Sequence, residues 1–182
     1  MTRASYVGPW RVDADVRDGV RSPVSIAALV RSVVTALDAV GAPSPASIGL
    51  ILSDDAELAE LNRTHMGKDG PTDVLSFPLL APEAFLAPGA RPPDVPRPPR
   101  TRLHLGDIVV SVERAADQAM AGRGGQTGDV RWSVADELHL LVTHGTLHVC
   151  GWDHAEPDAE AAMRSLERRL LGRLLGRLAP DS

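Results

Sequence analysis

Three histidines near the end of the chain have a spacing that suits a metal ion. His144, His148 and His154 are half of the six histidines in the sequence. Residues four apart on a helix lie about 6 Å apart on one face, so the first two imidazoles can reach one ion at roughly 2.0–2.1 Å. Gly151 follows, where a glycine with positive φ commonly ends a helix, and the chain can then turn back to bring His154 to the same ion. Three nitrogen ligands leave a fourth position open, so the spacing predicts a metal-dependent hydrolytic centre.

The residues around these histidines are apolar on nearly every side of the predicted helix. A lone histidine pair four residues apart is more often two core or surface side chains than a metal site. Here a third histidine follows a glycine turn, and a helix that is apolar all round is buried, where clustered imidazoles need a partner. Both features favour a metal site on a buried helix. The apolar residues are Leu138, Leu140, Leu141, Val142, Leu147 and Val149.

Length and composition indicate a single domain, 1–182. Its 182 residues, 43% of them hydrophobic, suffice for a sizeable core. There is no apolar run of about 18 residues, and residues 1–10 lack the basic start and apolar stretch of a signal peptide. Cys150 is the only cysteine, which excludes an internal disulfide and cysteine-based zinc fingers; we interpret it as a buried helix residue. We therefore expect a cytoplasmic chain with no membrane partner.

The net charge of −5 has the wrong sign for a general nucleic-acid coat, and DNA is not an expected partner. RNA binding would need a local basic patch, for which Arg63 and Lys68 are candidate substrate-binding residues. Arginines also recur over 164–177. We interpret those as a solvated helix face with acidic partners such as Glu160 and Glu167.

The elements that must position the histidines follow from periodicity and capping signals. They predict an α+β domain, a small mixed sheet packed with about five helices. A stretch rich in proline, at about 78–100, reads as an exposed loop. The predicted strands cover 48–52, 73–77 and 105–111, and the predicted helices cover about 22–40 with Ser22 as cap, 53–65, 112–121, a motif helix from about 130, and 156–178.

Three stretches resemble the YbeY family of bacterial endoribonucleases, also called rRNA maturation factors. The first is the histidine run HGTLHVCGWDH at 144–154, which looks like the family signature. The others are GPTDVLSFP at 70–78 and LGDIVVS at 105–111, in the same order as in the family, with Leu61-Asn62 and Gly67-Lys68-Asp69 adding to the match.

The resemblance implies a zinc-dependent endoribonuclease, specific for single strands, that acts in ribosomal RNA maturation at the 3′ end of 16S rRNA and in ribosome quality control. Its implied partners are single-stranded ribosomal RNA and ribosomal particles or ribosomal proteins, and its cofactor is one Zn²⁺ per chain. The family's three zinc ligands map onto His144, His148 and His154. The strand of the second motif is expected beside the metal cleft.

One departure from the family pattern concerns RNA binding. Family members often carry arginine just before the Gly-Lys-Asp run, in a role thought to touch RNA phosphate, and Met66 stands there in this chain. Methionine carries no charge and donates no hydrogen bond. Either Arg63 or Lys68 supplies the cation, or the RNA is held differently.

The residues that would assist the metal are less clearly marked. Asp153 is the carboxylate nearest in sequence to a ligand; it is a candidate general base, or it orients a metal-bound histidine. Other candidate bases are Asp69, Asp73 and Asp107, and candidate phosphate donors are Thr146 and Ser76. Attack by water and attack by the ribose 2′-hydroxyl both stay open.

Two rival functions fit part of the pattern. The ligand spacing also matches metzincin peptidases, but those need a glutamate directly after the first histidine, and this chain has Gly145. The second rival is a ribosome-assembly binding factor whose zinc is structural. Replacing His144 by alanine in a folded protein separates it from a nuclease, because a binding module would still engage ribosomal particles.

Overall fold

A five-stranded mixed sheet with helices on both faces forms the fold. It is seen in a computed structural model that describes residues 2–85, 102–121, 132–152 and 156–176. The strands are β1 (Arg3–Val7), β2 (Trp10–Val16), β3 (Ala46–Ser53), β4 (Val74–Pro78) and β5 (Leu103–Ser111). The described α-helices are α1 (Ile26–Ala39), α2 (Asp55–Leu61), α3 (Val112–Met120), α4 (Val134–Val149) and α5 (Pro157–Leu175). The predicted α+β class is confirmed.

The sheet has the strand order β1-β2-β3-β5-β4. The pairs β2–β3 and β3–β5 are parallel, whereas β1–β2 and β4–β5 are antiparallel. The two antiparallel strands, β1 and β4, therefore form the edges. β4 carries the second motif of the sequence, so that motif lies along one edge of the sheet.

The two faces of the sheet are covered unequally. The first face, which includes Leu50 and Ile108, packs against α1 and α4, and α5 packs on those two helices to complete the main core. On the second face, which includes Ile51 and Val109, α2 buries Leu58 in a small separate cluster. α4 contacts α1, α3, α5, β4 and β5, which explains why its sequence is apolar nearly all round.

Several predicted boundaries shift because local capping decides them. The first helix begins at Ile26, since the Ser25 side chain accepts a hydrogen bond from the Ala28 backbone N–H at 3.3 Å. The predicted cap, Ser22, instead bonds to the Val24 backbone in the preceding turn. α4 begins at Val134 rather than near 130.

Two strands were missed by the sequence prediction, which assigned no element before residue 22. β1 and β2 form an antiparallel pair that adds to the β3 side of the sheet. A π-helix (Asn62–Met66) continues α2 and ends one residue beyond the helix predicted over 53–65. Of the predicted loop at 78–100, the described part contains a short 3-10 helix (Pro82–Ala84), and residues 86–101 lie outside the described residues.

Candidate metal centre

The histidine pair lies on the solvent-facing side of an otherwise buried helix. α4 starts at a capping box in which Ser133 and Asp136 each accept a hydrogen bond from the other's backbone N–H. Within 140–150, His144 and His148 are the two positions that are half-buried, and the others are buried. The helix therefore presents both imidazoles on one face, as the spacing predicts.

α4 ends at Val149, one residue after His148, and the predicted glycine closes the turn that follows. Gly151 has a φ of +80°, and its backbone N–H donates to the His148 carbonyl at 3.0 Å. The Trp152 N–H donates to the Leu147 carbonyl at 3.0 Å. These two bonds form a Schellman motif, which turns the chain back at the histidine end of the helix.

The two imidazoles point at each other through the same ring atom. The Nε2 atoms of His144 and His148 are 3.0 Å apart, with the ring planes at 79°. Two imidazole lone pairs repel at this distance, so a proton or a cation must lie between them. Two ligands of a tetrahedral zinc ion, with bonds of roughly 2.0–2.1 Å, are separated by about 3.3 Å. The pair therefore fits a shared metal ion with a shift of a few tenths of an ångström.

A buried glutamate from α5 fixes the orientation of the first histidine. Glu167 has an exposed fraction of 7%, and its Oε1 lies 2.6 Å from His144 Nδ1. A carboxylate only accepts hydrogen bonds, so Nδ1 carries the proton and Nε2 presents its lone pair to the shared position. This arrangement of carboxylate, histidine and metal position is common in zinc proteins, where it sets the tautomer and raises ligand basicity.

The interpretation of Glu167 as part of a solvated helix face is therefore wrong. The sequence did contain a signal. Glu167 is four residues after Met163 and three before Leu170, both of which are buried on the same face of α5. A charged residue on the apolar face of a helix needs a partner, and His144 provides it.

The third predicted ligand and the predicted catalytic carboxylate cannot be placed in the same way. His154 and Asp153 lie outside the described residues. Across the parts of the chain that are described, no group of three His, Cys, Asp or Glu side chains is placed to hold a metal ion. The structure brings together two of the three predicted ligands, and the metal site as a whole remains a prediction.

Gly145 allows α4 to lie directly on the edge of the sheet. A Cβ atom at this position would lie 2.7 Å from Ile108 Cγ2 and 3.1 Å from Val74 Cγ2. Ser76 on β4 donates a hydrogen bond to the Gly145 carbonyl at 3.0 Å and so fastens the helix to the strand. A metzincin glutamate at position 145 has no room, which argues against the peptidase function.

Neither candidate phosphate donor has a free hydroxyl hydrogen. The Ser76 hydroxyl donates to the Gly145 carbonyl, and the Thr146 hydroxyl is buried and donates to the Val142 carbonyl at 2.7 Å. These hydrogen bonds favour an ordinary structural role for both side chains over phosphate binding. Both hydroxyls instead satisfy backbone carbonyls, which is the common fate of such groups in and beside helices.

The candidate substrate cations lie on the π-helix and the loop after it. Arg63 is exposed and forms an ion pair with Glu60. Lys68 is exposed in a loop held by Asn62, whose buried side chain donates to the Gly70 carbonyl at 2.9 Å. The Arg63 ion pair and the hydrogen bond from the Lys68 backbone N–H to the Asn62 carbonyl are both made within this segment.

The other three candidate bases lie at different places in the fold. Asp73 accepts from its neighbour's backbone N–H at 2.8 Å and from the Gln118 side chain at 2.9 Å, which is a structural role. Asp107 lies on the second face beside His104, and Asp69 is exposed in the loop. Cys150 is buried as predicted, and burial raises the pKa of its thiol to about 12, so it stays protonated at neutral pH.

Comparison with known proteins identifies the family. A family model described as Endoribonuclease YbeY matches residues 16–175. The chain belongs to the YbeY family. The resemblance carried by the three motifs is thereby confirmed.

Curated YbeY relatives match most of the chain. Endoribonuclease YbeY of Salinispora tropica is 44% identical over 137 residues, which are 75% of this chain and 79% of the relative. Endoribonuclease YbeY of Mycolicibacterium paratuberculosis is 41% identical over 150 residues, or 82% and 75% of the two chains. The solution structure of TM1509 from Thermotoga maritima shares the fold with a TM-score of 0.52 at 22% identity, over 92% of this chain and 89% of that one.

None of the described helices combines the length and the apolar character that a membrane span requires.

Proposed function

We propose that this chain is a zinc-dependent, single-strand-specific endoribonuclease that acts in ribosomal RNA maturation, at the 3′ end of 16S rRNA, and in ribosome quality control. Membership in the YbeY family supports RNA cleavage. The observation that carries the metal dependence is the convergence of His144 and His148 on one position, with Glu167 behind the first ring. Its place of action is the cytoplasm, and its partners are ribosomal RNA and ribosomal particles or proteins.

The proposed zinc ligands are the Nε2 atoms of His144 and His148 together with His154, one ion per chain. When bound, zinc acts as a Lewis acid that stabilises negative charge on a phosphoryl oxygen and lowers the pKa of a water molecule. The chain's own contribution is orientation. Glu167 holds His144 in the tautomer with an unprotonated Nε2, and the Schellman motif at Gly151 and Trp152 ends α4.

Asp153 is proposed to act either as a general base or as a carboxylate that orients a ligand. A general base must come within hydrogen-bond reach of the attacking hydroxyl, directly or through one water. An orienting carboxylate must instead reach the second nitrogen of a ligand histidine, as Glu167 reaches His144. An Asp153→Asn variant separates the two roles. Loss of a general base lowers the cleavage rate and leaves zinc affinity unchanged, whereas loss of an orienting carboxylate lowers both.

Arg63 and Lys68 are proposed to bind RNA phosphate in place of the arginine that family members often carry at Met66. Arg63 is paired with Glu60, and both side chains are about three-fifths exposed. An exposed pair of this kind contributes little to stability, so the guanidinium can turn to a phosphate at small cost. Each phosphate contact adds about 0.7 to the slope of log affinity against log salt for single strands.

The test is cleavage of an end-labelled single-stranded ribosomal RNA fragment by zinc-loaded protein. His148→Ala and a chelated wild-type sample are the negative controls, and circular dichroism establishes that both are folded. We expect cleavage by the loaded wild type alone. A terminal cyclic phosphate identifies attack by the 2′-hydroxyl, and a product without one identifies attack by water.

Two results would contradict the proposal. Cleavage that survives both chelation and His148→Ala would rule out a metal mechanism at this site. A folded, zinc-loaded wild type that binds ribosomal particles and leaves the RNA intact would favour the assembly-factor function.

A further inference from the structure

Among the described elements, α2 packs on the second face at one end of the sheet, and no described helix packs on that face at the other end. Near α2, Leu58 buries Leu75 and Val109. At the other end, one residue from each of four neighbouring strands lines up in a row across this face. Strand register pairs Tyr6 with Arg11, Arg11 with Ser47, and Ser47 with His104. We call these four residues the open row.

The open row is accessible to a ligand from solvent. Tyr6 is 63% exposed, and the side chains of Arg11 and His104 are 42% and 38% exposed. Neighbouring strands lie about 4.8 Å apart, so the row spans about 14 Å between its end Cα atoms. This length exceeds that of a single planar group and suits a chain ligand.

A β-bulge gives the open row a fixed hydrogen-bonding edge. Residues three apart on a regular strand point to opposite faces, but the β3–β5 register shifts between Ser47 and Gly49, and Gly106 has a φ of +149°. The shift brings His104 and Asp107 together, with His104 Nε2 at 3.2 Å from Asp107 Oδ1. The other ring nitrogen, Nδ1, lies 3.1 Å from Ser47 Oγ.

The direction of these hydrogen bonds follows from the carboxylate. Asp107 accepts only, so Nε2 of His104 carries the proton and Nδ1 accepts from the Ser47 hydroxyl. A Cβ on Gly49 would lie 2.0 Å from Asp107 Oδ1, so the glycine is what admits the carboxylate above β3. The chain Ser47–His104–Asp107 is thus held in one arrangement at a partly exposed surface.

At the other end of the open row, the planar guanidinium of Arg102 lies over the ring of Tyr6. The Arg102 guanidinium lies 5.5 Å from the centroid of the Tyr6 ring and donates to the Pro9 carbonyl at 2.5 Å. Arg102 precedes β5, so its side chain reaches back over the starts of β3 and β2 to the edge strand. Tyrosine rings and arginine planes are the surfaces on which unpaired bases stack.

We propose that the open row is a second contact site for single-stranded RNA, where a base stacks on the Tyr6–Arg102 pair and an amino group on a base edge donates to the Asp107 carboxylate, which His104 holds in place. This inference rests on the proposed function, which supplies RNA as the substrate class. The local charges favour neutral bases over free phosphate, because the carboxylates of Asp13 and Asp107 lie beside Arg11 and His104 and repel an anion. Planar groups with fixed donors and acceptors match neutral bases.

The open row and the histidine pair are on opposite faces of the sheet, so they can be tested separately. α4 packs on the first face, whereas the open row belongs to the second. RNA binding at the open row therefore needs no metal. It adds length to the contact, which lowers KM for RNA long enough to reach both sites and leaves kcat unchanged.

The experiment measures binding of a fluorescein-labelled single-stranded RNA 20-mer by anisotropy in EDTA. The variants are Tyr6→Ala and His104→Ala, and Tyr6→Phe retains the ring. Met120→Ala is the matched control, because Met120 is a large side chain that is 77% exposed on α3. Loss of one base–aromatic stack weakens binding about 5- to 150-fold. We expect this loss for Tyr6→Ala, near wild-type affinity for Tyr6→Phe and Met120→Ala, and no effect of Tyr6→Ala on an abasic 20-mer.

Several outcomes would overturn the inference. Affinities within twofold of wild type for both alanine variants, or an equal loss on abasic RNA, would show that no base is bound here. Tyr6→Ala that dissociates a dimer in sedimentation without changing RNA affinity would assign the open row to a second copy of the chain. A wild type that cleaves RNA with zinc but binds none in EDTA refutes only this inference, whereas one that neither binds nor cleaves RNA refutes the proposed function as well.

Discussion

Removing the Glu167 carboxylate should weaken zinc binding without unfolding the protein. Glu167 accepts the Nδ1 proton of His144 at 2.6 Å, and thereby leaves Nε2 unprotonated and aimed at the position that His148 also faces. In Glu167→Ala the ring loses this partner, and either nitrogen can carry the proton. Zinc must then select one tautomer and one ring orientation out of several.

The expected loss follows from the burial of the pair. The side chains of Glu167 and His144 are 9% and 27% exposed, so water screens their interaction little. Losing such a partner typically costs a metal site about 10- to 100-fold in affinity, or about 1.4–2.7 kcal/mol. We expect Glu167→Ala near the upper end. Glu167→Gln should lie near tenfold, because its amide oxygen still accepts the proton but carries no charge.

Zinc affinity is measured by competition with a chromophoric chelator, and Co²⁺ absorption reports the geometry of the site. The matched control is Glu160→Gln, the same change in the same helix at a side chain that is 41% exposed and pairs with Arg164. Glu160→Gln should bind zinc like wild type. A folded Glu167→Ala with wild-type zinc affinity would refute the assignment of Glu167 as a positioning residue.

Three further predictions concern the elements that support the site. Gly145→Ala should lower the free energy of unfolding by about 1–3 kcal/mol in urea denaturation, because its Cβ would lie 2.7 Å from Ile108 Cγ2. At an open helix position the same change would raise stability, so a gain would contradict this packing. Cys150 should react with a thiol reagent at pH 8 only as fast as the protein unfolds, since burial raises its pKa to about 12; rapid reaction of folded protein would contradict it. Burial lowers the pKa of His139, whose Nδ1 lies 2.7 Å from the Ser32 hydroxyl. The unfolded chain therefore binds more protons than the folded chain below about pH 6.5, and the free energy of unfolding should fall as the pH drops from 7 to 5. Equal slopes of stability against pH for wild type and His139→Gln would refute this.

Much of the fold that holds the histidines was predictable because its signals are local. The apolar pattern of α4 and the glycine that follows it can both be recognised within one short stretch of sequence. In the structure Gly151 follows the end of the helix and has a positive φ, as predicted. β2 was predictable but missed: Trp10, Val12 and Ala14 are buried and alternate with more exposed polar residues. β1 carries no such pattern, since its residues are exposed or only partly buried on both faces.

The partner of His144 was not predictable from local signals. Glu167 lies 23 residues further along the chain, and the contact depends on how α5 docks on α4. The close approach at Gly145 is similar, because the sequence shows a glycine but not the two strands beneath it. Both features arise from packing between distant segments, which periodicity and capping do not encode.

Stepwise reconstitution of chelator-treated protein with zinc tests the central claim most directly. The protein is given one end-labelled ribosomal RNA sequence, either as a single strand or as a duplex, and cleavage of each is measured. His144→Ala is the negative control. The account predicts that single-strand cleavage rises with added zinc to a break at about one equivalent per chain, with none on the duplex and none by the variant. Full cleavage before zinc is added, or none at saturation by folded protein, would contradict it.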